Sequence, residues 1–578
     1  MMRGFNLSDW ALRHRSFVWY MMIASLIAGT ISYIGLGREE DPSFSIKTMI
    51  VAAALPGADT DETLGQVTDR IEKKLEELNE LDATRSVTAP GQVVVYVDLL
   101  PTTPAREIPR IWQQVRNMMT DIRADFPEEF AGFQFNDSFG DVYGNIYAFT
   151  SDGFTPRELR DYVEAVRTEI EALPDAGKID LIGAQDEAIY LEFSTRRLAA
   201  LGLDQREVVA TLADQNAIVP SGVIDAGDEQ VIVRVGGQFT DADSLAAVNL
   251  RVGDRFFNIG DIAEITRGYK DPPDNLFRYN GQQGIALVIG MRTGGNILEY
   301  SDDLEQLMTR VEAKLPVGIH MSRVADQPDQ VRHAVGHFVR ALAEAIAIVL
   351  AVTFVSLGLR AGLVVTLTIP LVLAITFVIL DRYGITLQRI SLGALIIALG
   401  LLVDDAMIAI ETMISRLELG ESLPKAASYA WTSIAFPMLT GTLVTVAGFV
   451  PIGLNDSAAG EYTFSLFVVI AVSLIVSWLV AVLFAPLLGV TLLPANMPHH
   501  DGTPGRIRKA FHTILRAAMR ARWLTIALTL AIFGASIWGM GFVQMQFFPN
   551  SDRTELIVDF TARQNVSITE TRRQMDRL

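Results

Sequence analysis

The stretch Gly400-Leu401-Leu402-Val403-Asp404-Asp405-Ala406-Met407-Ile408-Ala409-Ile410-Glu411 places two adjacent carboxylates inside an apolar run from Ile390 to Ile414. That run is long enough to cross a bilayer core of ~30 Å, which takes about 20 helical residues. A charge at such depth costs at least ~2.5 kcal/mol on the most lenient insertion scale. Two side by side need a protein interior to face and work to do there. Adjacent helical residues point about 100° apart, so both aspartates can face one polar seam of a helix bundle. Glu411 follows Asp404 by two turns on the same face, and Gly393 and Gly400 permit close approach of a neighbouring helix. Apolar surroundings and a nearby cation pull a carboxyl group's proton affinity in opposite directions. Asp404 and Asp405 therefore read as a proton relay, against the plainer reading of a hydrogen-bonded brace, which Asn or Ser would supply at lower cost.

Outward from this run the composition is mixed. Half of the 578 residues are hydrophobic, yet the formal charge is −19. Clustered apolar runs with charged segments between them describe a membrane protein with a large aqueous part. The negative charge, with no broad basic face, argues against a nucleic-acid partner. The absence of cysteine excludes disulfides and thiolate metal sites. No GxxxxGK[ST] loop is present, so ATP is not the expected energy source.

The first apolar span, Phe17 to Leu36, follows Arg13, His14 and Arg15. It is long for a signal-peptide core and lacks an Ala-x-Ala site, so it reads as an uncleaved first membrane helix with its basic end in the cytoplasm. Further spans are expected at Val339–Leu357, Leu363–Leu380, Ile390–Ile414, Phe436–Leu454, Phe464–Thr491 and Leu524–Phe542, seven in all. The basic residues of alternate short loops fall on the side of the N-terminus, which puts Gly37–Arg332 outside the cytoplasm. Arg506–Arg522 interleaves Phe511, Ile514, Leu515 and Met519 with cations and reads as an amphipathic helix on the cytoplasmic membrane surface, with a helix for a protein partner as the alternative.

Within the outer segment, strand Lys47–Leu55, helix Thr60–Leu78, strands Thr84–Thr88 and Val93–Leu99 and helix Ala105–Phe126 give most of a ferredoxin-like unit. A second unit starts at Ile146–Thr150, continues with helix Pro156–Leu173 and strand Lys178–Ile182, and resumes with strand Ile285–Met291, helix Ile297–Leu315 and strand His320–Val324. The residues from Gln185 to Lys270 are then an insertion, with strands Ile189–Phe193 and Gln230–Val235 and helix Gln205–Asp214. Its turn-rich stretch Pro220–Asp228 is either a surface loop or an arm reaching a neighbouring subunit.

Displacing the chain by 507 positions lays its start on its finish without gaps: Arg15 meets Arg522, Pro42 meets Pro549, Ile50-Val51 meets Ile557-Val558, and Asp69-Arg70 meets Asp576-Arg577. Both copies read as basic flank, membrane helix, strand and polar helix. This is a parallel duplication of the kind seen in transporters. The second copy stops at Leu578, and the expectation is a fragment of a protein about twice the repeat, or a truncated product.

These residues carry a resemblance. GLLVDDAMIAIE at Gly400–Glu411, LPGAD at Leu55–Asp59, Glu344 early in the second membrane helix, and the Phe436–Pro494 helix pair with Pro451, Phe464-Ser465 and Pro486 resemble the N-terminal half of a resistance-nodulation-division (RND) efflux pump of the hydrophobe and amphiphile branch. The resemblance implies a polytopic α-helical membrane protein with a large α+β periplasmic domain of ferredoxin-like (βαβ) subdomains. It implies a secondary active transporter, not an enzyme, with no cofactor: a proton-driven drug/proton antiporter of hydrophobic or amphiphilic compounds. The pump would be a homotrimer in the inner membrane, working with a periplasmic adaptor protein and an outer-membrane channel. Residues 1–37 would hold the N-terminus and first membrane helix, 38–134 the first porter subdomain, 135–181 and 272–330 the second, and 182–271 the docking subdomain. Residues 331–495 would hold helices two to six, 496–522 the basic segment, 523–543 the seventh helix and 544–578 the start of the second repeat. Asp404 and Asp405 fall on the family's relay aspartates, with Glu344 and Glu411 as supporting intramembrane acids. The family's Lys partner belongs to the second half, so this chain alone is not expected to couple protons to transport. The arm around Ile224–Val231 is shorter than in the best-studied members, Ile182 stands where a Phe is expected, and no substrate-binding residue is assigned.

The residues speak against three alternatives. Heavy-metal efflux on the same fold is disfavoured because the motif is Asp-Asp and not Asp-Gly, and because Met49, Met118, Met119, Met291, Met308 and Met321 do not cluster in sequence. An intramembrane aspartyl protease needs two carboxylates converging on one water, whereas adjacent helical side chains diverge. A scaffold, or an inactive half-pump, would keep the aspartates only passively.

Overall fold

The computed structural model describes residues 6–42, 44–138, 142–215, 218–225, 230–236, 241–252, 255–494, 506–544, 556–563 and 566–577. Helix α1 (Leu7–Arg13) is capped by the Asn6 side chain and runs into α2 (Arg15–Gly35), the first helix long and apolar enough to cross a membrane.

The first outer unit comprises β1 (Thr48–Ala54), α3 (Thr60–Thr63), α4 (Asp69–Leu75), β2 (Leu81–Ala89), β3 (Gln92–Leu99), α5 (Ile108–Asp121) and β4 (Gly132–Asn136). Alternation makes β1 a half-buried strand: Met49, Val51 and Ala53 face inward. Asp59 and Glu62 form a capping box that starts α3. Helix α5 buries Ile108, Ile111, Trp112, Val115, Met118 and Met119 on one face. The sheet order is β2-β3-β1-β4, antiparallel throughout, so β3 lies between β1 and β2. Strand β4 was not expected from the sequence.

The second unit repeats that topology. It comprises β5 (Asn145–Ser151), α6 (Pro156–Glu171) and β6 (Ala176–Ile182). An insertion follows: β7 (Glu187–Phe193), α7 (Thr195–Leu201), α8 (Gln205–Gln215), β8 (Ile218–Asp225), β9 (Gln230–Gly236), α9 (Ala242–Ala246), β10 (Asn249–Val252), β11 (Arg255–Asn258), α10 (Ile259–Ile262) and β12 (Ala263–Tyr269). The unit resumes with β13 (Phe277–Tyr279), β14 (Gln282–Met291), α11 (Ile297–Lys314) and β15 (Ile319–Asp326). Strand β14 is the apolar centre, paired with β5 on one edge and with β6 and β13 on the other, while β15 borders β5. The stretch Pro220–Asp228 is not simply loop: β8 and β9 form a two-stranded hairpin, with residues 226–229 outside the described set.

Helix α12 (Gln327–Leu357) begins well before the expected Val339, because its first turns pack beside the outer domain, where Arg332 reaches Asp302 at 2.7 Å. It is followed by α13 (Leu359–Arg382), α14 (Arg389–Glu418), α15 (Leu423–Gly453) and α16 (Ala458–Leu492), then α17 (Arg506–Arg520), α18 (Arg522–Met540) and α19 (Ile568–Met575). Among the described residues seven helices, α2, α12–α16 and α18, have the length and apolarity to span a membrane. Helices α13 and α16 are the most enclosed, and α18 buries no residue. The repeat is visible in the backbone: α1 stops at Arg13 and α2 starts at Arg15, as α17 stops at Arg520 and α18 starts at Arg522. It fails at the strand, since residues 556–560, which match β1, carry no ladder. Strand β1 exists by pairing with β3 and β4, and no described residue pairs with 556–560.

Candidate functional site: the carboxylate pair of α14

Helix α14 is fixed at its start by Gln388. Its side-chain oxygen accepts from the backbone N–H of Ile390 at 2.6 Å and Ser391 at 2.9 Å, and its amide donates to Ser465 Oγ of α16 at 2.7 Å. One face of α14 then packs along α16, in a core that includes Leu395, Ala398, Leu402, Ala406 and Met413. Ser477 of α16, 2% exposed, donates to the Leu402 carbonyl at 2.9 Å, one turn before Asp405.

The two aspartates do not share a seam. Asp405 lies on the packed face, 9% exposed, with the Ser477 hydroxyl as its neighbour. Asp404, turned about 100° away, is exposed. It sits in a stripe of exposed residues, Ile397, Gly400, Asp404, Ile408 and Glu411, that follows helical spacing along the open side of α14. Among the described residues α16 covers the side of α14 that carries Asp405 and leaves the side that carries Asp404 open. Glu411 shares the open face with Asp404, as its spacing requires, and Glu344 of α12 is also exposed. Among the described residues none of these four acids makes an ion pair. An added Cβ at Gly393 or Gly400 would meet nothing within 4 Å, so among the described residues no helix uses the close approach they allow.

A charged side chain on the open face of a membrane-length apolar helix cannot be left to lipid. An ionised carboxylate buried without a cation is similarly expensive. The site thus holds one acid enclosed by this chain and one presented to whatever covers α14. Ser465 was named in the sequence only as part of the family resemblance, and Ser477 and Gln388 were missed, although polar residues at 465, 473 and 477 recur at helical spacing on an otherwise apolar helix.

A family description of AcrB/AcrD/AcrF proteins matches residues 7–578. The chain belongs to that family. It is therefore an RND-type efflux transporter, a membrane protein and not an enzyme in the usual sense. Within the AcrB/AcrD/AcrF family match lie both the outer units and the helices that carry the four acids.

Proposed function

We propose that this chain is the pump subunit of a proton-motive-force-driven antiporter that expels hydrophobic or amphiphilic compounds. The observation that carries the reading is the divided pair: Asp405 enclosed against α16 and Asp404 bare on the open face of the same helix. Protons exchanged at the pair change its net charge, and so change how strongly α14 binds a cation or polar group on its open side. A transporter needs such a two-state element, with states of different proton affinity. Glu344 and Glu411 are supporting acids in this scheme.

In the same proposal the two outer sheets are ferredoxin-like porter subdomains, about 38–134 and 135–181 with 272–330, and 182–271 is a docking subdomain whose β8–β9 hairpin reaches a neighbouring protomer. The strand order shared by both sheets supports that division. The pump is a homotrimer of the inner membrane with its outer domain in the periplasm, coupled to a periplasmic adaptor and an outer-membrane channel.

The test is dye efflux and proton uptake by membrane vesicles carrying the complete pump with Asp404→Asn or Asp405→Asn. Both activities are expected to vanish at unchanged pump abundance. Undiminished efflux by the Asp405→Asn pump would remove the relay from the mechanism.

A further inference from the structure

A second feature lies away from the carboxylate pair, where α2 and α13 meet at their outer ends, the ends that adjoin the large domain. Gly29 brings the helices into contact: a Cβ there would stand 2.4 Å from Ala374 Cα. Beyond this contact the helices part and leave a cleft of about 440 Å³ lined by Ala28, Ile31, Ser32, Val378, Asp381 and Arg382. Ala28, Ile31 and Val378 give it an apolar side, and Asp381 and Arg382 bring it one charge of each sign. Ser32, nine-tenths buried, donates to Asp381 Oδ2 at 3.0 Å and so fixes that carboxylate over the cleft. Arg382, in the last turn of α13, lines the same cleft and makes no ion pair among the described residues.

Ile31 is part of the cleft lining, and Ile23 and Ile27, toward the middle of the membrane span, continue from it as an exposed apolar stripe along α2 at helical spacing. An arginine at a membrane interface needs no ligand to be there, since it can snorkel to water. Snorkelling does not account for a carboxylate held beside it by a buried hydroxyl.

We propose that this cleft holds the headgroup of one zwitterionic phospholipid, an aminoalkyl phosphate. Arg382 takes the phosphate, for which a guanidinium fork is suited. Asp381 takes the ammonium, and an acyl chain runs from Ile31 along Ile27 and Ile23. The volume falls within the range of small-ligand sites, ~300–1,000 Å³. The charge order, cation and anion beside an apolar side, matches a zwitterionic lipid better than an anionic or uncharged one.

The test uses the full chain in nanodiscs of equal phosphatidylethanolamine, phosphatidylglycerol and diacylglycerol, with retained lipid counted by native mass spectrometry. Phosphatidylethanolamine is expected to be retained in preference to the other two. Arg382→Ala should lower retention of both phospholipids, roughly tenfold for the loss of a charge-assisted contact, and Arg382→Lys should restore much of it. Asp381→Asn should abolish the preference for phosphatidylethanolamine over phosphatidylglycerol while leaving total phospholipid nearly unchanged, a result that misfolding cannot imitate. Equal retention of diacylglycerol, preference for phosphatidylglycerol in the unaltered chain, or indifference to both Arg382→Ala and Asp381→Asn would each overturn the proposal.

Discussion

Lys47 Nζ stands 3.2 Å from the Glu461 carboxylate, joining the approach to β1 with the first turn of α16. The same carboxylate accepts the Ser45 N–H at 2.8 Å, and the ammonium also donates to the Pro101 carbonyl at 2.6 Å. Helix α16 then runs from Glu461 to Ser477, about 24 Å at ~1.5 Å per residue, and ends that span beside Asp405. One rigid helix thus touches the first outer sheet and the carboxylate pair. Replacing Lys47 with Met leaves Glu461 without its cation at a largely enclosed contact, a loss on the order of 1–3 kcal/mol. The expected outcome is reduced dye efflux at unchanged pump abundance. The double variant Lys47→Met/Glu461→Gln should perform better than the sum of the single losses, because it removes the stranded charge. Strict additivity would show that the two residues do not act as a pair.

Asp98 of β3 gives a pH-dependent prediction outside the membrane. Burial raises its proton affinity, but hydrogen bonds from Arg85 Nε at 2.9 Å and Thr48 Oγ1 at 2.6 Å, with the Arg85 charge, outweigh that and hold its pKa below the usual carboxylate range. A depressed folded-state pKa contributes stability that is fully present above the unfolded value, about 3.9 for Asp. That contribution is lost as pH falls through the folded value. Arg85 is mostly exposed, so the contribution is small, up to about 1 kcal/mol. Asp98→Asn should weaken protection of the β1 and β3 amides against hydrogen exchange by a constant amount from about pH 5 to 8, with intrinsic rates corrected. The difference from the unaltered chain should close below about pH 3.9. A difference that persists in acid would mean the charge is not its source.

What the sequence could disclose follows from how local each cause is. Helix α14 was legible because two carboxylates in an apolar run are costly wherever the helix lies. Strands β1, β3 and β14 were legible from their own apolar patterns. Strand β4 and the three-residue β13 were not, since short strands are defined by the edge they join. The opposite exposure of Asp404 and Asp405 depends on where α16 lies, which no residue of α14 records. Ser477 escaped notice because a serine in an apolar helix ordinarily bonds its own backbone, whereas here it bonds α14. The Lys47–Glu461 pair is invisible to any reading of neighbouring residues. The missing strand at 556–560 shows the converse: sequence likeness to β1 does not make a strand without partners.

Gly29 is the closest approach of α2 to α13. A Cβ there would lie 2.4 Å from both the Cα and the carbonyl oxygen of Ala374, which are backbone atoms that cannot swing aside. Gly29→Ala must therefore push the helices apart, an overpacking cost of roughly 1–3 kcal/mol. At Gly489 the nearest obstacle is the flexible end of Met413, at 2.7 Å, so Gly489→Ala is absorbed by a rotamer change. Thermal unfolding of the two variants in one detergent should show a clear loss for Gly29→Ala and little for Gly489→Ala. The reverse order would mean that the α2–α13 contact is not a tight constraint in the assembled protein.

Ser477 tests whether the join between α14 and α16 serves the carboxylate pair or only packing. Its hydroxyl holds the Leu402 carbonyl at 2.9 Å from a position 2% exposed, beside Asp405. Ser477→Ala keeps the volume nearly constant and removes one hydrogen bond, a loss of about 1 kcal/mol. Global stability of a bundle this large should barely change. Asp405, however, loses the Ser477 hydroxyl beside it, and α14 loses a point that fixes its rotation about its own axis. Efflux by Ser477→Ala should therefore fall by more than its unfolding temperature would suggest, and Ser477→Thr, which restores the hydroxyl, should recover it. Ser477→Val serves as the control, since it has the shape of Thr without the donor. If Val and Thr perform alike, the position matters for volume alone, and the hydroxyl has no part in presenting Asp405.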